Sequence, residues 1–447
     1  MRHRASRTLR ASVAIGSVSG ICGPLLGPAW IVPRGKERLN PAPPRLDRLG
    51  GPRPVSAAKR PAQTFQKECR PMLPLQGVKV VEIGQNLAGP YASEILAMLG
   101  AEVVKIERPE GDDARGWGPP LNAGIATSFH AVNRNKRSVV LDLKDKEALA
   151  WLRGFLADTD VFIQNMRPGS LDKMGLGAEA VRALNPRLIY CSLHAFGAVG
   201  PMALKPGYEP IVQAFAGMFS VNGSAEVPPA RVGMQVLDLG TGVWAALGCL
   251  AALQRRHATG EGATVDTSLF ETGMGWMAQH FAGYFESGRQ PPRHRSGNPK
   301  LIVFQAFDTA DGEIVVAAAN DRLFAKFAAV LGHPEWGTDP RFRTNKDRIA
   351  HREVILPLLS AEMLKRGSED WAEALEAAGI PCSPINDLAA VAAHPQTAAL
   401  GMIQPMPGYD ARGIGLPMSI DGVRPPVERG APALGEANAA LGAPMPK

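Results

Sequence analysis

The feature that most restricts this chain is a regular alternation of short apolar runs with helical segments, which sets in at Leu73. Residues 78–83, 102–106, 138–141, 161–163 and 188–192 are predicted as strands. Helices are predicted between them: 91–99, a segment with Leu149, Leu152 and Leu156 on one face, and 178–184. Repeated β-α-β order of this kind can close only as a mostly parallel sheet covered by helices, because parallel neighbours need a crossover. The run 241–257, stopping near Gly260, reads as a long buried helix. Beyond the Gly/Pro/Arg-rich stretch 288–299, a strand at 313–318 and helices at 323–331 and 352–366 predict a second, smaller α+β unit.

Residues 1–72 do not share this pattern. They hold 14 Lys/Arg against 3 Asp/Glu, whereas the rest of the chain holds 35 against 39. The net charge of +7 is therefore a property of the tail, and the body (net −4) gives no electrostatic reason to bind nucleic acid. The tail is expected to be a disordered basic extension outside the folded body, either a targeting segment or sequence upstream of a start at Met72. Its apolar stretch is broken by Gly16, Gly20, Gly23 and Pro24, which suits no membrane span. Five scattered cysteines without C-x-x-C, and nine histidines without H-E-x-x-H, point to reduced thiols, a cytoplasmic setting and no metal centre. No phosphate-binding G-x-x-x-x-G-K and no G-x-S-x-G elbow occurs.

Several local motifs are ambiguous alone. Val236-Leu237-Asp238-Leu239-Gly240-Thr241-Gly242 reads as a strand end, an acid and a glycine turn opening a helix. That pattern fits an S-adenosylmethionine methyltransferase or a dinucleotide site, and equally an Asp238 that only caps the helix. Some five β/α elements precede it, and Val243 and Trp244 are bulky for a nucleotide cradle. Gly84 to Gly89 lacks G-x-G-x-x-G, although Glu107 stands where a ribose-binding acid would. Asn133 to Ser138, with three cations, and Asn165 to Gly169 both resemble ordinary loops.

In order along the chain, these pieces become specific. The blocks opening at Leu73, Leu87, Leu99, Gly111, Asn133, Leu141, Arg167, Asn185 and Gly207 resemble the class III CoA-transferases, the CaiB/BaiF group. So do Asp311-Gly312, Gly379-Ile380-Pro381-Cys382 and Pro432 to Glu436. The resemblance covers about 375 residues, all but the tail. It implies a Rossmann-like large domain (73–275, completed by 396–447), a linker (276–299), a small α+β domain (300–395) and an interlocked homodimer. It implies transfer of CoA from an acyl-CoA to a free carboxylic acid, with Asp238 as covalent nucleophile and no permanently bound cofactor. It further implies a CoA groove of Leu87, Ala88, Arg108, Leu141, Lys144, Asn165, Met166, Arg167, Lys173 and Tyr208. The Gly240–Gly242 turn would stabilise negative charge.

Some positions depart from the family pattern. Leu87 stands where some relatives have Gln, Glu209 where Asp is usual, and Ala437 where His is customary; the glycine-rich loop is reduced to Ser296-Gly297-Asn298. The related α-methylacyl-CoA racemases carry a catalytic His at the position of Tyr208. A phenol with a pKa of about 10 is a poor base at neutral pH, so transfer is the preferred reading over racemisation.

Overall fold

The computed structural model describes residues 72–446; the expectations for the tail lie outside the described residues. Six parallel strands form the central sheet: β1 (Lys79–Ile83), β2 (Glu102–Glu107), β3 (Lys136–Val140), β4 (Val161–Gln164), β5 (Ile189–His194) and β6 (Ala263–Ser268). Their order is β3-β2-β1-β4-β5-β6. This is the doubly wound arrangement, and the crossover direction reverses between β1 and β4.

Both faces of the sheet are covered, which explains the nearly unbroken apolar strands. Val80, Val103, Val161, Ile163, Ile189 and Cys191 face one core. Their strand neighbours Val81, Val104, Phe162 and Tyr190 face the other. The first face receives helix α1 (Ala88–Met98). The second receives α2 (Lys146–Leu156), opened by Asp145, whose side chain accepts from Glu147 N–H, and α3 (Ala178–Leu184).

Three sequence expectations change. Strand β3 starts at Lys136 rather than 138, because the buried Lys136 ammonium is met by Glu82 on β1 at 3.0 Å. Strand β6 was not foreseen; Ala263–Ser268 is too polar for an apolar-run criterion and sits at the sheet edge beside β5. The segment at Val236 and Leu237 is not a strand end. After α4 (Glu209–Phe215), a single helix α5 runs over Val236–Thr259, five residues longer at its start than expected, and is followed by α6 (Leu269–Trp276). Helix α5 is long and apolar enough to span a membrane by composition, yet about half of it is buried against α1, β5 and β6.

The smaller unit has its own core. Strands β7 (Gln305–Asp308), β8 (Glu313–Val316) and β9 (Cys382–Pro384) form an antiparallel sheet. Helices α7 (Asp321–Val330), α8 (Arg352–Met363) and α9 (Ser368–Ala377) enclose Phe307, Ile314, Phe324, Phe327, Leu359 and Trp371 with it. The chain then returns to the large sheet. Asn438 Oδ1 accepts from Val140 N–H at 2.9 Å and its amide donates to Val140 C=O at 2.8 Å, so one side chain satisfies the exposed edge of β3.

Candidate active site

In an open α/β sheet, ligands bind beyond the carboxyl ends of the strands, where crossovers on the two sides diverge. Here that crevice lies after β1 and β4, and it is held shut by one residue. Asn165 Oδ1 accepts from Gln85 N–H, and Asn165 Nδ2 donates to Gln85 C=O, both at 2.9 Å. The Gly84–Leu87 turn entering α1 is thus pinned to the end of β4. Gly89 suits the same contact, since a Cβ there would lie 3.3 Å from Asn165 Cγ and push on it.

A cavity of about 1140 Å³ opens over this point. It gathers Leu87, Ala88, Arg108, Asn165, Met166, Arg167, Tyr208 and Asp238, which are up to 151 positions apart in sequence. A neighbouring recess of about 310 Å³ shares Gln85, Arg108 and Met166 with it and adds Leu141 and Lys144. Lys173 is exposed on the short helix Ser170–Lys173 and lines neither space. The cations are unevenly engaged. Arg108 pairs with Asp113 and lies 3.5 Å from Glu110, while the ammonium of exposed Lys144 makes no ion pair with any described residue.

Asp238 is the third residue of α5, half-buried between Gln235 and Leu239 in the cavity wall. Its carboxylate makes no hydrogen bond or ion pair with any described residue. Burial pushes its pKa up to about 7, and the neighbouring Glu209 carboxylate adds to the rise. A helix N-terminus favours negative charge, so the withdrawal from water outweighs the dipole here. Glu209 itself is buried at the start of α4; Gln213 donates to its Oε1, and Oε2 has no partner among the described residues.

Gly240 and Gly242 do not form a turn. Both lie inside α5, where their N–H groups belong to the i to i−4 ladder and cannot face an oxyanion. They are glycines for packing. A Cβ on Gly240 would stand 2.8 Å from Thr272 and Trp276 atoms, and one on Gly242 would stand 2.9 Å from Ala88 C=O. The methyltransferase and dinucleotide readings needed a glycine turn open to a ligand, and they fall with it.

Other wall residues carried no local sequence signal: Glu94, buried and paired with Arg134 of the cationic string that resembled a loop; Lys205 and Arg231; and His194. Only the rule that ligands meet strand carboxyl ends could have singled out His194, next to the predicted strand 188–192.

Comparison with known proteins agrees with this fold. The profile of CoA-transferase family III matches residues 75–438. A solved CaiB/BaiF family protein from Brucella suis is 37% identical, with a TM-score of 0.76 over 83% of this chain and 98% of its own. The succinate–glutarate CoA-transferase of Agrobacterium fabrum is 37% identical over 81% of this chain and 93% of its own length. The acetyl-CoA:oxalate CoA-transferase of Acetobacter aceti is 38% identical over 83% and 96%. The chain belongs to CoA-transferase family III. It is a transferase enzyme acting on acyl-CoA and carboxylate substrates.

Proposed function

We propose that this enzyme moves CoA between small dicarboxylic acids through covalent intermediates on Asp238. The observation that carries the reading is the state of that side chain: a cavity-lining carboxylate left without a hydrogen bond and held up to about 7. A carboxylate stripped of stabilising donors is a stronger nucleophile, and forming a covalent bond discharges it.

An Asp238 oxygen attacks the donor thioester carbonyl; the C–S bond breaks, leaving an acyl-aspartyl anhydride and CoA thiolate. The thiolate attacks the Asp238 carbonyl carbon and expels the donor as a free carboxylate, giving aspartyl-CoA. The acceptor carboxylate then attacks that thioester, reforming an anhydride and thiolate. Finally, the thiolate takes the acceptor acyl group and returns Asp238 as a carboxylate. No proton, electron or metal enters this balance, so the chemistry requires no resident cofactor.

Arg108 after β2 and Lys144 after β3 supply cations suited to the phosphates of CoA at the β1–β3 side of the crevice, and Arg167 adds a third after β4. The class of acceptor acid is supported by the relatives, whose names specify succinate, glutarate and oxalate, one of them with acetyl-CoA as the donor. Val243, Trp244 and Leu247 on α5 and Trp276 on α6 leave apolar surface exposed, which a second copy of the chain would cover in a homodimer. A cytoplasmic setting suits the free thiols of Cys191, Cys249 and Cys382.

Intact-mass spectrometry after adding succinyl-CoA without acceptor tests the reading. A CoA-sized adduct is expected on the wild type and not on Asp238→Ala. An adduct that survives in Asp238→Ala places the chemistry elsewhere.

A further inference from the structure

The cavity wall carries one histidine that the transfer steps above do not use. His194 ends β5, and its side chain is 15% exposed. Among the described residues it is the only histidine lining the cavity. Its Nε2 lies 3.0 Å from Asp266 Oδ1 on β6. The pairing is set by the strands. Asp266 stands opposite Ser192 in the parallel register, and His194, two residues on, shares the face of Ser192. With Nε2 engaged, no described residue takes Nδ1.

The position along the sheet gives the pair a purpose. The cations suited to CoA, Arg108 and Lys144, follow β2 and β3, whereas His194 follows β5, across the β1–β4 crevice. A ligand with its nucleotide on the first side and its reacting carbonyl at Asp238 extends its acyl chain toward the second. There it would reach His194, with Lys205 and Arg231 lining the same cavity and adding positive potential and Glu209 opposing it. As imidazolium, His194 donates one N–H to Asp266 and offers the other to an incoming oxyanion. A neutral methyl end would gain nothing from it.

We infer that His194, oriented by Asp266, binds the distal carboxylate of the dicarboxylic acid and thereby selects dicarboxylic over monocarboxylic substrates. This rests on the Asp238 reading, because it is the attachment at Asp238 that fixes where the acyl chain points.

The test uses the full-length enzyme with succinyl-CoA as donor and glutarate or pentanoate as acceptor. In a double-displacement reaction, the acceptor kcat/KM reports only the second half-reaction, so a change in donor handling does not enter it. In His194→Ala, kcat/KM for glutarate is expected to fall at least tenfold, mainly through KM, with the pentanoate value within twofold of wild type. His194→Gln, which keeps an N–H donor, recovers part of the glutarate preference, and His194→Leu, similar in bulk, does not. Asp266→Asn moves the same ratio in the same direction by a smaller factor. Equal losses for both acceptors, or equal behaviour of the Gln and Leu variants, would overturn the assignment. A CoA adduct still mapping to Asp238 in these variants locates that failure at His194, whereas its loss from wild type would locate the failure in the Asp238 chemistry.

Discussion

Two withdrawn carboxylates lie on either side of α1, and the chain treats them in opposite ways. Glu82 on β1 is completely buried, yet it is surrounded by donors: Ser93 hydroxyl at 3.0 Å, Lys105 at 2.9 Å and Lys136 at 3.0 Å. Burial works to raise its pKa, and the two ammonium groups outweigh it, so the pKa is lowered. Lys136, in the same cluster, is pushed down to about 8 by burial. Asp238 is less buried, has no donor and faces a second carboxylate, and it rises to about 7. Withdrawal from water alone therefore does not make a nucleophile. What separates structure from chemistry here is whether compensating charge was placed beside the acid.

Replacing the two acids breaks the comparison most directly. Asp238→Ala should lower turnover at least about a thousandfold, as loss of a covalent nucleophile does, with an unchanged far-UV circular dichroism spectrum. Glu82→Gln should do the reverse. It leaves buried Lys136 without a carboxylate partner and Lys105 with Asp112 alone, so chemical denaturation should report a loss of about 3–5 kcal/mol, while the remaining folded enzyme keeps Asp238 competent.

Smaller effects sharpen it. Asp238 has a raised native pKa, so the native state holds a proton that the unfolded chain releases at lower pH. Any stability it contributes is present in acid and lost as pH rises toward about 7. Asp238→Asn should accordingly be more stable than wild type at pH 8, by on the order of 1 kcal/mol, with the gap closing near pH 4. The donor kcat/KM should climb with pH and level off above about 7, because only the ionised carboxylate attacks. Glu209→Gln removes a neighbouring negative charge and should move that limb to lower pH, which assigns it to Asp238 rather than to Glu94, also held near 7. Least of all, Arg108→Ala or Lys144→Ala should raise the KM for acyl-CoA by about fivefold, and less at high salt, since both cations are solvent-accessible.

The sheet was legible because its strands are buried on both faces and spell continuous apolar runs, as in Val80, Val81 and Ile83. β6 was not, since Thr264, Asp266 and Thr267 face partly away from the core at an edge. The start of α5 was misread because glycines at 240 and 242 suggest a turn, whereas they answer contacts from Ala88, Thr272 and Trp276 that lie far away in sequence. Asp238 emerged from the ordered family blocks, not from its own neighbourhood. Its isolation from donors, the bond from Asn165 to Gln85, and the His194–Asp266 pair are products of tertiary geometry, and no spacing in the chain encodes them locally.

The most direct measurement is to quench the wild-type enzyme with hydroxylamine during turnover, digest it and sequence the modified peptide. A single hydroxamate at Asp238 is the predicted result. A hydroxamate on Glu209 instead, or an unmodified Asp238 in an enzyme that is visibly transferring CoA, would contradict it.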